Sequence, residues 1–305
     1  MNNSNKSLGL MSAIGAFGMW GVLPVYWKQL SFIEPVIILI HRFFWSFIFL
    51  TALLLKAKNL RSTLALLKNK RHALIILLRS ILLAFNWGIF IWAVNNNHII
   101  ETSLGYFLNP LLNTLFGIIF FRERPDFLQK LAIFLAFTGV SVQTILFGSV
   151  PIIALSLASL FAAYGAIRKK DNMPATEGLF LETTLLLPLV LVALIWFILK
   201  GSIGFDRGLV AGLLIVAAGP LTSIPLIMFA YSTQRLNLTT VGLAQYISPT
   251  LTLLTGTFIY NEQLGQGQIV SFIFIWAALL IYSFESIRLY KRSTKLDWRD
   301  AGKNK

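Results

Sequence analysis

Ten stretches of about 20 mostly apolar residues follow one another along the chain, and this feature constrains the fold most strongly. A helix of that length crosses the hydrocarbon core of a bilayer. Hydrophobic residues make up 56% of the chain and charged residues 12%, which is more apolar surface than a water-soluble fold could bury. The sequence therefore predicts an all-α integral membrane protein with ten transmembrane helices, at residues 8–28, 35–55, 73–94, 99–121, 127–147, 151–168, 178–199, 209–231, 237–260 and 268–289.

Basic residues favour one side of this predicted topology. Lysine and arginine are enriched in the cytoplasmic loops of membrane proteins. With a cytoplasmic N-terminus, Lys28, Lys200 and Arg207 fall outside and Arg42 and Arg79 fall within spans, which leaves 21 of the 26 basic residues on the cytoplasmic side. We therefore expect a bacterial inner-membrane protein with both termini in the cytoplasm. The basic tail, residues 291–305, is expected to contact anionic lipid rather than nucleic acid.

An internal repeat divides the chain into two halves. A shift of 139 residues superimposes two copies of the pattern P-x6-G-x5-E, aligning Pro110 with Pro249, Gly117 with Gly256 and Glu123 with Glu262. Five spans per half is an odd number, so the second half must enter the membrane upside down relative to the first. The pattern predicts two inverted five-helix repeats, residues 1–150 and 151–290, with a binding site near the membrane midplane between them.

Polar side chains form matching stripes on the fourth and ninth spans. Tyr106, Asn109 and Asn113 lie on one face of a helix, and the shift places Gln245, Ser248 and Thr252 on the equivalent face. Such stripes predict the walls of a shared cavity, with simple helix packing as the alternative. Together with aromatic and amide residues deep in other spans, they give the predicted substrate-contacting set: Trp20, Asn86, Trp87, Tyr106, Asn109, Tyr164, Gln245, Tyr246 and Ser248.

Charged side chains inside predicted spans are costly and mark candidate functional positions. His41, Arg42 and Glu182 are the predicted ionisable centre, and Glu182 follows Arg42 by 140 residues, close to the repeat shift. We predict that Arg42 and Glu182 form an ion pair in one transport state, the alternative being that each bonds separately. Arg79 is expected to reach the membrane surface with its long side chain, and Trp27 to anchor at the interface.

Signatures of catalysis are missing from the sequence. The chain has no cysteine and only three histidines, which makes a metal centre hard to build, and it contains no GxxxxGK[ST] segment for nucleotide hydrolysis. We therefore predict that the chain is not an enzyme, uses no cofactor or metal, and moves a small-molecule substrate with a gradient. A lipid-modifying membrane enzyme and a sensor or assembly subunit are the alternatives. A monomer is expected, with a dimer as the alternative.

The segment NWGIFIWAVNNNHIIETSLGYFLNPLLN, from Asn86 to Asn113, closely resembles the RarD-type permeases of the EamA group in the drug/metabolite transporter superfamily. Further similar segments surround His41 and Glu182 and begin at Pro151 and Gln245. The resemblance implies ten helices in two inverted repeats around a central cavity, and export or exchange of metabolites or drugs. One departure is the RERP turn at residues 122–125, where relatives often have glycine before the glutamate. The combined prediction is a secondary active transporter that works by alternating access.

Overall fold

The helices account for the apolar stretches of the sequence. The structure, a computed structural model, describes residues 3–122, 125–171, 173–201, 203–233, 235–236, 241 and 244–303. Its α-helices are α1 (Asn3–Gln29), α2 (Pro35–Lys56), α3 (Leu60–Ala65), α4 (Lys70–Asn95), α5 (Ile99–Phe121), α6 (Phe127–Phe147), α7 (Ile152–Asp171), α8 (Ala175–Leu199), α9 (Leu209–Thr233), α10 (Ile247–Leu254) and α11 (Gln266–Lys303). A π-helical turn, Thr255–Ile259, continues α10.

Seven of the helices in the described part of the chain are long and apolar enough to cross a bilayer. Their membrane-crossing segments are Ser7–Gln29, Pro35–Lys56, Lys70–Asn95, Phe127–Leu146, Thr176–Leu199, Leu209–Phe229 and Gln266–Glu285. Two shorter apolar helices, Ile152–Arg168 and Ile247–Ile259, coincide with predicted spans, as does α5. The predicted span 237–260 lies partly outside the described residues. The all-helical membrane class is therefore confirmed, and the count of ten spans stays a prediction.

Local sequence signals set the helix boundaries. Glu34 is extended and Pro35 is the first residue of α2. Proline is tolerated there because a backbone N–H at the first helical position would have no partner within the helix. The Asn69 side chain caps α4 by accepting from the backbone N–H groups of Arg71 and His72. Gly148 ends α6 at φ +63°, a left-handed conformation that glycine adopts readily. The sequence did not predict α3, which lies in the connection between α2 and α4.

Two ends of the helix bundle are distinguished by the connections they hold. The first-loop end contains the α1–α2 and α4–α5 connections, which are joined where Lys28 Nζ donates to the Val94 carbonyl at 3.0 Å and to Asn97 Oδ1 at 2.5 Å. The N-terminal end contains the start of α1 and the α2–α4 and α7–α8 connections. Under the predicted topology, the first-loop end is periplasmic and the N-terminal end is cytoplasmic.

The most extensive helix packing joins elements before the α6–α7 loop to elements after it. The largest contacts are α6 with α11, α5 with α7, α2 with α9, α1 with α9 and α2 with α8. The pairs also match under the predicted repeat: α1 with α10 mirrors α7 with α5, and α1 with α9 mirrors α7 with α4. The two parts of the chain therefore interlock.

Glycines allow backbones from the two parts to approach closely. A Cβ atom on Gly219 of α9 would lie 2.3 Å from the Trp45 carbonyl carbon of α2. On Gly105 of α5, a Cβ would lie 2.9 Å from the Ala154 carbonyl oxygen of α7. Small residues at such crossings are typical of membrane helices, which associate through close van der Waals packing.

Candidate functional site

A fully buried ion pair lies between α4 and α8, toward the N-terminal end. Arg79 donates through Nη2 to Glu182 Oε1, and both side chains have an exposure of 0%. The Tyr164 hydroxyl of α7 lies 3.3 Å from Glu182 Oε1 and 3.2 Å from Oε2, and it accepts a hydrogen bond from Arg168 Nη1. We call these four residues the acidic centre. One carboxylate is thus bonded by an arginine and a hydroxyl, which offsets the cost of removing it from water.

The predicted ion pair between Arg42 and Glu182 is absent from this conformation, because the partner of Glu182 is Arg79. Arg42 is the eighth residue of α2 and Glu182 the eighth of α8, so each lies about 10 Å along its helix. Since α2 begins at the first-loop end and α8 at the N-terminal end, the two charges lie on opposite sides of the bundle centre. Arg79, the tenth residue of α4, shares a depth with Glu182. The expectation that Arg79 reaches the surface was therefore wrong.

Arg42 occupies a second buried position, toward the first-loop end. Its Nε donates to Thr222 Oγ1 of α9 at 2.9 Å. The guanidinium carbon lies 3.8 Å from the ring centroid of Trp87 and 4.9 Å from that of Trp27. Arg42 forms no ion pair with a carboxylate among the described residues. We call Arg42, Trp27, Trp87 and Thr222 the basic centre.

The prediction that Trp27 lies at a lipid interface was wrong. Its exposure is 0%, and it packs against Tyr26 at 4.7 Å between ring centroids. The indole instead forms one wall of the basic centre, because α1 packs against α9 and α4 and the Arg42 guanidinium of α2 lies over the ring.

His41 points away from both charge centres. Its Nε2 lies 3.0 Å from the Ile203 carbonyl oxygen, and its ring packs edge-on against Phe205 at 5.5 Å. His41 therefore contacts the α8–α9 connection. The three residues of the predicted ionisable centre, His41, Arg42 and Glu182, are buried as predicted, but the structure places them in three separate environments.

Three polar residues of the predicted substrate set are buried between helices of the two parts. Asn86 donates through Nδ2 to the Leu157 carbonyl of α7 at 2.9 Å. Asn109 is 1% exposed, and its Oδ1 has no hydrogen-bond partner among the described residues. The backbone oxygen of Ser248 faces Gly21 of α1. Asn86 thus serves helix packing in this conformation, whereas Asn109 keeps an acceptor available.

The aromatic members of the predicted set separate into different clusters. Trp87 belongs to the basic centre and Tyr164 to the acidic centre. Tyr106 is half-buried and lies edge-on to Phe90 at 5.7 Å between ring centroids. The remaining members are also half-buried: Trp20 packs against Phe17 and Phe229, Tyr246 stacks on Phe107, and Gln245 is helical, directly before the turn at Tyr246. A common cavity for Tyr106 and Gln245 stays a prediction.

A polar cavity of about 570 Å³ opens at the first-loop end, between the α4–α5 and α10–α11 connections. It is lined by residues of both parts of the chain, including Asn97, Glu101, Tyr260 and Glu262. Glu262 caps α5, since its two carboxylate oxygens accept from the backbone N–H groups of Ile99 and Ile100, each at 2.9 Å. The repeated glutamate of the P-x6-G-x5-E pattern thus links the two parts. Its counterpart, Glu123, lies outside the described residues.

Four residues of the two charge centres were missing from the predicted functional set: Arg79, Arg168, Trp27 and Thr222. Arg79 carried a usable signal, because a charge within an apolar span needs a partner at its own depth. Thr222 carried none, since hydroxyl residues occur throughout these spans. The pairing of α2 with α9 becomes visible only in the fold.

Comparisons with known proteins define the class and then the family. The model of the EamA-like transporter family matches residues 7–145. Protein RarD of Salmonella typhi is 44% identical over 290 residues, covering 94% of this chain and 98% of that protein. An uncharacterized transporter of Vibrio cholerae is 41% identical over 283 residues, covering 92% and 93%. A protein of known crystal structure shares the fold, with a TM-score of 0.56 and 16% identity over 92% of this chain and 99% of its own.

These matches, together with the apolar helices, make the chain an integral membrane transporter. It belongs to the EamA-like transporter family and is a RarD-type permease of the drug/metabolite transporter superfamily, which confirms the resemblance found in the sequence. Membership favours transport over the two alternative classes, a lipid-modifying enzyme and a sensor subunit.

Proposed function

We propose that this permease is a secondary active transporter of the bacterial cytoplasmic membrane, which moves small organic molecules by alternating access. Two inverted five-helix halves, residues 1–150 and 151–290, rock around a site between the basic and acidic centres. Both termini lie in the cytoplasm, and residues 291–305 form a basic tail at the membrane surface. The functional unit is a monomer.

One observation carries this proposal: the buried charges of the two halves occupy equivalent positions at opposite ends of the bundle. Arg42 on α2 and Glu182 on α8 are the same number of residues from the start of their helices. Each bonds to a helix of the other half, Arg42 to Thr222 and Glu182 to Arg79. In an inverted repeat, rocking of one half against the other around a fixed site lets access alternate between the two sides of the membrane.

Helix packing supports the same mechanism. The largest contacts run between the halves, and glycines such as Gly105 and Gly219 bring the backbones of the two halves close together at these crossings. Smooth crossings of this kind let rigid halves rotate against each other. The cap that Glu262 provides to α5 is an inter-half contact at the first-loop end, and rocking toward an open first-loop end requires its release.

Two engineered disulfides test alternating access directly, because the chain has no cysteine and gives no background. At the first-loop end, a Cβ on Gly256 lies 3.3 Å from Ile99 Cβ; at the N-terminal end, a Cβ on Gly9 lies 3.0 Å from Arg235 Cβ. Both separations are shorter than the Cβ–Cβ distance of natural disulfides, about 3.5–4.5 Å, so each bond forms after a small outward shift of the two backbones. The pairs Ile99→Cys/Gly256→Cys and Gly9→Cys/Arg235→Cys therefore lock opposite ends of the bundle.

Flux is measured in proteoliposomes with labelled tryptophan, N-acetyltryptophan and N-acetyltryptophanamide, since the site candidates are aromatic and polar. Each oxidised lock should reduce flux of a transported probe to that of protein-free liposomes, and a reductant should restore it. The four single-cysteine variants, oxidised in the same way, should retain flux. Wild-type flux through either closed lock would refute alternating access, and the absence of flux for all three probes would refute transport of aromatic amphiphiles.

A further inference from the structure

The basic centre contains a buried positive charge that no carboxylate in the described part of the chain neutralises. Arg42 is 5% exposed, and its Nη1 has no hydrogen-bond partner among the described residues. Its bonded neighbour, Thr222, is uncharged. A charge held away from water without a counterion is strongly unfavourable, and such residues inside membrane spans commonly serve a ligand or a transported ion.

The acidic centre provides an internal comparison, because it occupies the equivalent position in the other half. There, Glu182 is bonded by Arg79 and approached by the Tyr164 hydroxyl. Among the described residues, the buried acid on α8 thus has a counterion and the buried base on α2 has none. This difference identifies Arg42, and not Glu182, as the charge that requires an external partner.

The surroundings of Arg42 complement an acceptor. Two buried polar atoms at the basic centre lack a partner, Arg42 Nη1 and Trp27 Nε1, and both are hydrogen-bond donors. The Trp87 and Trp27 rings cover the guanidinium and fix its orientation. Tyr26 and Tyr106 pack against the apolar cluster that contains Trp27 and add aromatic surface. A flat apolar group with one anionic end matches this combination of donors and rings.

We infer that the transported substrates carry a single carboxylate, or a comparable small anionic group, which binds Arg42 in the basic centre while an attached apolar or aromatic portion packs against Trp27, Trp87 and Tyr106. This inference rests on the proposed function, whose substrate class it names. Carboxylate and guanidinium form paired, parallel hydrogen bonds, and Arg42 has both Nη groups available beyond the Nε bond to Thr222. A polyanion would leave excess negative charge in a site that offers one cation.

Binding in detergent tests the inference with probes that differ only in charge. N-acetyltryptophan and benzoate are each compared with the matched amide, N-acetyltryptophanamide or benzamide. Wild-type protein should bind at least one carboxylate about tenfold more tightly than its amide, because hydrogen bonds between charged groups contribute about 1.5–3 kcal/mol. Equal affinity for acid and amide in both pairs would overturn the inference.

Variants separate ligand binding from a structural role. Arg42→Gln should abolish the preference for the carboxylate, and Arg42→Lys, which keeps the charge without the planar fork, should reduce it at least about threefold. The matched control, Arg207→Gln, removes an exposed arginine of the α8–α9 connection, outside both centres, and should leave the preference unchanged. A preference that persists in Arg42→Gln overturns the assignment, and if that variant does not fold, an undiminished preference in Arg42→Lys does so.

These results are independent of the transport test. Lock-sensitive flux of tryptophan or the amide without any carboxylate preference would retain the transporter and reject the anion site. A carboxylate preference lost in Arg42→Gln, combined with no lock-sensitive flux, would retain the site and reject transport by alternating access.

Discussion

Replacing Glu182 with glutamine should destabilise the folded protein more than any other single change in the acidic centre. The substitution leaves Arg79 buried at 0% exposure without its counterion, and the nearby Arg168 then adds repulsion. Removing one partner of a buried pair costs about 3–5 kcal/mol. That loss corresponds to roughly two to four powers of ten in the unfolding equilibrium.

Arg79→Gln should lower the free energy of unfolding by less, about 1–2 kcal/mol. The remaining Glu182 carboxylate still contacts the Tyr164 hydroxyl and is still attracted by Arg168. The double variant strands neither charge. Its loss should therefore fall short of the sum of the two single losses by at least about 1.5 kcal/mol. The measurement is a double-mutant cycle on the free energy of unfolding, with all four proteins titrated with sodium dodecyl sulfate in the same dodecyl maltoside micelles.

A control cycle uses Arg42→Gln with Glu182→Gln. These residues bond to different partners at opposite ends of the bundle, so their losses should add within about 0.5 kcal/mol. Additivity between Arg79 and Glu182 would refute the ion pair, as would a larger loss for Arg79→Gln than for Glu182→Gln. Strong coupling in the control cycle would instead indicate that Arg42 and Glu182 meet in another state.

Further expected outcomes concern packing, capping and topology. Gly219→Ala should lower the free energy of unfolding by about 1–3 kcal/mol, because the added methyl group overlaps the Trp45 backbone. The control Gly18→Ala should not, because no atom lies within 4 Å of the new Cβ. Equal thermal stabilities of the two variants would contradict the close crossing. Glu262→Ala should cost about 1–2 kcal/mol and raise hydrogen exchange at Ile99 and Ile100, while unchanged exchange there would exclude the cap. Reporter fusions after Lys58, Lys170 and Lys305 should each give a cytoplasmic signal. A periplasmic signal at any of these positions would overturn the predicted topology.

The helices were predictable because lipid imposes a single rule on every span, a continuous apolar stretch of sufficient length. The predicted span 35–55 differs from α2 by one residue, and 127–147 coincides with α6. By contrast, α3 was missed, since a short helix in a connection has no membrane-length signal. The predicted span 178–199 begins three residues after the start of α8 at Ala175, because the first residues of α8 are less apolar than the rest.

The candidate site was predictable by residue type and not by partner. Arg42 and Glu182 were recognised as buried charges, but in this conformation each bonds to a different helix. Under the predicted inverted repeat, equivalent positions lie at mirrored depths, and Glu182 bonds to Arg79 on a helix that begins at the same end. The role of Glu262 was equally hidden, because a cap formed between sequence-distant helices leaves no local spacing to detect.

The interlocking of the helices has a consequence for biogenesis. When ribosomes have made only residues up to the α6–α7 loop, α1 lacks α9 and α10, α5 lacks α7, and α6 lacks α11. The faces of α1, α5 and α6 that later pack against the second half are then exposed to lipid. At this stage Thr222 and Glu182, which later bond to Arg42 and Arg79, have not yet been synthesised. The nascent first half is therefore a loosely associated set of inserted helices, and tertiary assembly is postponed until synthesis nears completion. Proteases that recognise exposed charge within the bilayer would degrade the chain during that interval.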